Sequence, residues 1–191
     1  MAIKKKKGPA KEKKRKKWVT VMAPQEFGNI SLGEVYVEEA EHSKNKTIKL
    51  NLASVSSEMR RQNVSLRFVI DSIQGSQAQT KVVGYELPAA FVKRAAKKGK
   101  SKVDDSVEYP IKDGKVRIKT VVILRGKAPN SVQTAVRLKS REEIAKRVSE
   151  VDLVKLFQMV TRMEIQKQLK AELNKNLSVQ NFTIRKVEIV K

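Results

Sequence analysis

Across residues 115–124 apolar and polar side chains take turns: Val116, Ile118, Thr120, Val122 and Leu124 alternate with Lys115, Arg117 and Lys119. A period of two puts every second side chain on one side of an extended backbone, so this run predicts a β-strand with one buried face. Asp113-Gly114 just before it suits a type I′ turn, which makes 103–111 the first strand of a hairpin. Pro110 cannot donate to a ladder and places that strand at an edge or a bulge.

The same period recurs upstream. Residues 18–22, 30–37 and 47–52 read as strands, the third with Ile48, Leu50 and Leu52 on one face. Val64, Leu66, Phe68 and Ile70 alternate with Ser65, Arg67 and Val69, and Gly75-Ser76 sits where a tight turn into 81–87 is required. One helix interrupts the series, with Pro88 as its first residue and its end before Gly99. At 100° per residue Phe91, Val92, Ala95 and Ala96 share one arc, and Lys93, Arg94, Lys97 and Lys98 the other. After Leu124 the pattern changes to helical spacing. One helix is predicted over 131–150, with Asn130 as cap, Gln133 completing a capping box, and Ser140 internal. A second is predicted from Asp152 as cap to about 174–176, along the stripe Leu153, Leu156, Phe157, Val160, Leu169, Leu173. Residues 182–190 return to strand composition and are expected to join the earlier sheet. The expectation is one α+β domain over 18–191, β-rich over 18–124 and helical over 131–176. Its antiparallel or mixed sheet is barrel-like, with one short inserted helix and two C-terminal helices.

Charge says what such a domain meets. The chain of 191 residues carries 42 Lys plus Arg against 20 Asp plus Glu, a net +22 that repels itself when compact and attracts a polyanion. Lys4, Lys5, Lys6, Lys7, Lys11, Lys13, Lys14, Arg15, Lys16 and Lys17 face Glu12 alone, so the first 17 residues hold +9 of it. Their only sizeable apolar side chains are Met1 and Ile3, too few to offset the cost of ordering. A disordered arm is therefore expected, reading as a nucleic-acid contact in preference to a localisation signal or a solvated tail. The absence of Trp, Phe and Leu anchors in it argues against a membrane surface.

Two further basic groups lie in the folded part. Lys93, Arg94, Lys97 and Lys98, followed by Lys100 and Lys102, place like charges four apart on the predicted helix, a repulsion that a phosphate backbone would reverse. Arg125 and Lys127 sit at the change from sheet to helix, with Arg137 and Arg141 beyond them. The Gly126-Lys127 pair is not a P-loop, because Val121 replaces the upstream glycine and Ala128 the metal-binding Ser or Thr. Arginine's fork suits phosphate or guanine instead.

Several classes of function are excluded. With no Cys there is no disulfide, thiolate zinc site or Cys nucleophile, and His42 is the only histidine. His42 reads as part of an acidic loop, and Asp104-Asp105 lacks a catalytic partner, so neither enzyme chemistry, a metal, a cofactor nor a small-molecule substrate is expected. No run of 18 uncharged apolar residues is present to span a membrane, and the N-terminus lacks a secretory signal's apolar region, so a cytoplasmic protein is expected. Aromatics make up 5% and form no glycine-flanked stacking signature, so contacts to phosphate, sugar and groove shape are expected ahead of base stacking.

Lys16-Lys17-Trp18, then 21–27 (VMAPQEF) and Gly33-Glu34-Val35, resemble the opening of the archaeal and eukaryotic small-subunit ribosomal protein family S-one-e, also called S-three-A-e. Residues 69–75, 83–87 (VGYEL), 112–114 (KDG), the basic helix 131–141 and 184–187 (IRKV) are similar to later segments of that family, in the same order. The short length is similar to archaeal members. The resemblance implies a structural, RNA-binding protein on the platform of the small subunit, near the messenger exit and the 3′ region of its RNA, with other ribosomal proteins as neighbours. It also implies a barrel-like sheet accompanied by helices. The family often has an arginine-rich run after the helix at Pro88, where this chain has lysines at 97, 98, 100 and 102. The threonine-rich start of that helix is Pro88-Ala89-Ala90 here, so what carries over is charge and not forked geometry. The alternative reading is a free architectural or regulatory nucleic-acid-binding protein outside the ribosome.

Overall fold

A computed structural model describes residues 16–56 and 62–190. Eight strands are present among them: β1 (Lys17–Met22), β2 (Ser31–Val37), β3 (Thr47–Asn51), β4 (Ser65–Gln74), β5 (Gln77–Glu86), β6 (Lys102–Ile111), β7 (Gly114–Leu124) and β8 (Val179–Val190). Five α-helices accompany them: α1 (Leu52–Ser56), α2 (Ala89–Ala95), α3 (Asn130–Val148), α4 (Leu153–Thr161) and α5 (Glu164–Asn176).

All eight strands share one mixed sheet, ordered β2-β1-β5-β8-β7-β6, with β4 on the other edge of β5 and β3 beyond β4. β5 is the junction. One edge pairs along its length with β4; the other is divided between β1, parallel through Thr20–Met22, and β8, antiparallel through Gly84, Tyr85 and Glu86. The sheet stays open, ending at β6 on one side and at β2 and β3 on the other, so the expected barrel-like closure does not occur. Splitting one edge of β5 forks the sheet instead of curling it. Pro110 lies in the edge strand β6, and β8 does join the sheet, at its centre between β5 and β7.

Alternation decides the faces. Val116, Ile118, Val122 and Leu124 of β7 and Phe182, Ile184 and Val187 of β8 turn toward α3, α4 and α5 and build the main core with them. Each fully buried Val, Leu, Ile or Phe side chain there contributes roughly 1.5–3 kcal/mol relative to exposure. On α3 the inward stripe is Val136, Ser140, Ile144 and Val148, one residue per turn. The Ser140 hydroxyl escapes an unsatisfied burial by donating to the Val136 carbonyl at 2.7 Å. The opposite face of β7 presents Val121 and Ile123, which α2 covers with Val92, Ala95 and Ala96.

Several local expectations are corrected. The hairpin between β6 and β7 turns at Lys112-Asp113, and neither residue has positive φ; Gly114, at φ 144°, absorbs the strain, so the turn is not type I′ on Asp113-Gly114. The predicted second C-terminal helix is two helices, giving three after the sheet: Met163, at φ 60°, breaks the stripe between α4 and α5. At the break the Val160 carbonyl accepts from the Met163 N–H at 3.1 Å and from the buried Gln166 side-chain amide at 3.0 Å. Asp152 occupies the cap position of α4 without a side-chain bond to it; the Leu153 N–H donates to Asp113 of the hairpin at 3.1 Å. At α3 the cap position is Pro129, and Gln133 donates to the Ala128 carbonyl at 3.0 Å, so the Asn130 capping box does not form. Pro88 likewise precedes α2 as its cap residue. That helix stops at Ala95, before the left-handed Gly99.

Candidate nucleic-acid interface

The early end of α2 changes the geometry of its charges. Lys93 and Arg94 stand in the last turn, where they complement the helix dipole, but Lys97 and Lys98 lie beyond it. The chain leaves helical geometry at Ala96, so the expected i,i+4 repulsion across one helix face does not exist. All four side chains are exposed, and Lys100 is half-buried. Lys102, opening β6, lies 2.5 Å from Asp104.

Two groups that are separate in sequence come together here. Ser101 binds the end of β7 and the segment after it at three points: its N–H donates to the Gly126 carbonyl, its hydroxyl accepts from Ala128 N–H, and its carbonyl accepts from Leu124 N–H, all within 3.0 Å. Arg125 and Lys127, both exposed, are thereby held beside the 97–102 segment. Gly126 has no neighbour within 4 Å of a Cβ position, so its backbone is open to close approach.

Next to this lies a shallow concavity of about 480 Å³. It is lined by Lys119 of β7, Arg137 and Arg141 of α3 and Arg185 of β8, together with Asp104 and Asp105. Val121, against which α2 packs, is part of the same lining, so the α2 region and the concavity adjoin. Arg185 reaches this position through a register shift between β7 and β8: Lys119 pairs with Lys186, and Thr120 with Ile184. Lys119 and Arg185 line the concavity without having been candidates from the sequence. Each sat on the polar side of a strand, but no sequence pattern said that those strands were neighbours.

Arg141 is partly engaged. Its Nε and Nη2 donate to the two Asp105 carboxylate oxygens at 2.7 and 2.8 Å. This pairing holds the Asp105 carboxyl below its ordinary range, with lesser help from Ser106 N–H and the nearby Arg137. Burial, with the Asp105 charge close by, pushes the Tyr109 phenol up to about 12. Asp105 therefore does have a partner, a basic one, which consumes two of the five donors on a predicted contact residue.

The N-terminal group stands apart. Lys4, Lys5, Lys6, Lys7, Lys11, Lys13, Lys14 and Arg15 of the predicted arm lie outside the described residues. Lys16 and Lys17 are exposed, and Lys17 already belongs to β1 and not to an arm. β1 is separated from β7 by β5 and β8, so the structure does not join Lys16 and Lys17 to the α2 and α3 charges. Elsewhere on the sheet some charges pair with each other: Lys49 meets Glu86 at 2.7 Å and holds its carboxyl low, and Arg117 meets Glu108. Among the described residues no three His, Cys, Asp or Glu side chains group to hold a metal ion, and His42 is exposed, 3.9 Å from Glu39. No described helix is long and apolar enough to cross a membrane.

Comparison with known proteins identifies what carries this surface. A model of the Ribosomal S3Ae family matches residues 4–191. A protein of Desulfurococcus amylolyticus named small ribosomal subunit protein eS1 is 32% identical over 179 residues, covering 93% of this chain and 82% of that protein. Its namesake in Methanothrix thermoacetophila is 29% identical over 182 residues, covering 95% and 86%. That of Archaeoglobus fulgidus is 27% identical over 178 residues, covering 92% and 84%. With the family model spanning nearly the whole sequence and archaeal relatives aligned along it, the chain belongs to the Ribosomal S3Ae family, in its archaeal form.

Proposed function

We propose that this protein is a structural, non-enzymatic constituent of the small ribosomal subunit in the cytoplasm, and that its folded part, a single domain, binds the subunit's RNA. The observation that carries the reading is the adjacency of separate basic segments around β6 and β7: Lys93, Arg94 and the 97–102 lysines, Arg125 and Lys127, and the concavity of Lys119, Arg137, Arg141 and Arg185. Such a surface suits the phosphates of a folded RNA, which position a protein without asking for a base sequence. The N-terminal lysines would form a second contact from the far end of the sheet. Family resemblance supports the finer placement: the platform of the subunit, near the messenger exit and the 3′ region of its RNA, with other small-subunit proteins alongside.

Two experiments test this. In gradient fractionation of native lysate the protein should co-migrate with small subunits through moderate salt; a free or chromatin-bound pool would refute the ribosomal assignment. Changing Lys93, Arg94, Lys97 and Lys98 together to Gln should leave folding intact and flatten the salt dependence of RNA binding, by up to about 0.7–0.9 in logarithmic slope for each phosphate no longer neutralised. An unchanged slope would assign all four to surface solubility.

A further inference from the structure

The solitary tryptophan of the chain, Trp18, is 61% exposed although it sits in a strand. Directly opposite it across the β1–β2 ladder is Tyr36, 52% exposed, and the two rings lie 4.7 Å apart at 36°. A Trp–Tyr pair of this size left in water forgoes the burial that normally retains such side chains, which marks it as a contact surface. The opposite face of the same ribbon is used in the ordinary way: Val19, Val21 and Val37 bury themselves against Ile70 and Ala78. The ribbon is thus correctly oriented, and the aromatic pair is outward by construction.

Position favours access. β1 pairs with β5 only through Thr20–Met22, so at Trp18 the ribbon stands clear of the rest of the sheet, with β2 as its outer strand. The rings touch each other, so nothing can be inserted between them. A flat ligand has to lie on their outer surface. Tyr36 is already in contact with the indole and has the Lys16 ammonium 5.8 Å from its ring centre, which leaves Trp18 with the larger open surface. Lys16 lies beside the pair, Lys17, opposite Val37, belongs to the other face of the ribbon, and eight more basic residues precede them in the sequence. On the same ribbon face Glu34 lies opposite Thr20, and the exposed Glu38 and Glu39 follow directly after β2. A flat aromatic surface beside the Lys16 ammonium fits an unpaired nucleobase whose phosphate meets that charge; a duplex keeps its base faces stacked away.

We propose that Trp18, supported by Tyr36 and Lys16, stacks on one unpaired nucleobase of RNA. The inference rests on the RNA-binding reading above and adds a base contact that phosphate neutralisation alone does not provide.

Because Trp18 is the only tryptophan, its fluorescence reports the contact in the full-length chain. The probes are a single-stranded RNA of about 12 nucleotides, within the span such sites usually cover, and a blunt duplex of the same sequence, both end-labelled so that binding is also read by anisotropy. The single strand should quench Trp18 saturably, and the duplex should bind with little quenching. Trp18→Ala should weaken single-strand binding about tenfold with its salt slope unchanged, and Trp18→Phe should restore most of it. Lys16→Gln should instead reduce the slope. Circular dichroism and melting of each variant guard against loss of the ribbon. Binding of the single strand without quenching, or equal losses for both RNAs in Trp18→Ala, would overturn the stacking contact while leaving salt-dependent RNA binding in place. Failure of the unaltered protein to bind either RNA would overturn both readings.

Discussion

Asp105 sets a measurable opposition between stability and RNA affinity. Its carboxylate occupies the Nε and Nη2 donors of Arg141, a residue that lines the basic concavity, and adds a negative charge to that concavity. Asp105→Asn keeps the shape, removes the charge and loosens one arm of the fork. A charge-assisted pair of this geometry contributes about 1.5–3 kcal/mol, but Arg141 is nearly half open to water, so the loss discounts to about 1–2 kcal/mol. For a domain of this length that lowers the melting temperature by about 2–8 °C. RNA binding should move the other way. One freed guanidinium on one more phosphate steepens the logarithmic salt slope by about 0.7–0.9, so that raising salt fourfold costs the variant about threefold more affinity than the parent. Thermal melting and labelled-RNA titration from about 50 to 200 mM salt check the two halves. A lower melting temperature with an unchanged slope would refute the reasoning and leave Arg141 as a strut between α3 and β6.

Acid should expose the same pair. The Asp105 carboxyl is held low by Arg141, and Glu143 is brought down to about 2 by Arg147 and then Lys146. Because both are lowered in the folded protein, the stability they supply is fully present above the ordinary carboxylate value of about 4 and is lost as pH falls below it. The melting temperature should therefore drop from about pH 4 downward, and less steeply in Asp105→Asn; identical acid limbs would remove Asp105 from the account. Asp113→Ala should cost about 0.5–2 kcal/mol by removing the acceptor for the first N–H of α4, whereas Asp152→Ala, despite its cap position, should cost less. Denaturant unfolding of the two variants decides; the reverse ranking would mean that the cross-element cap is not the operative one.

What the sequence conveyed divides by range. Alternation, turn residues and strand composition together placed all eight strands within a few residues, because these signals are written into the chain locally. The Phe91, Val92, Ala95, Ala96 arc likewise found the buried side of α2. What escaped depended on partners distant in sequence. The continuous stripe from Leu153 to Leu173 carries no Gly or Pro at Met163, so nothing local announced the left-handed residue that divides it. Asp113 caps a helix forty residues away, and Asp105 meets Arg141 thirty-six residues away. The concavity needed β7 beside β8, an adjacency that no periodicity encodes. Trp18 opposite Tyr36 is a matter of register, which alternation leaves free by multiples of two.

The central seat of β8 has a consequence for the order in which the protein is made. The hairpins β4–β5 and β6–β7 can each form as soon as they are synthesised, but they are joined only by residues 179–190, which pair with both β5 and β7. Until that strand emerges, β5 and β7 each present an unpaired edge, and the core lacks Phe182, Ile184 and Val187. Long-range closure of this kind is slow, and the exposed edges are a hazard while it waits. A basic protein folding beside nucleic acid thus passes through a stage in which its charges are complete and its sheet is not, and the last strand sets the time at which it becomes competent to assemble.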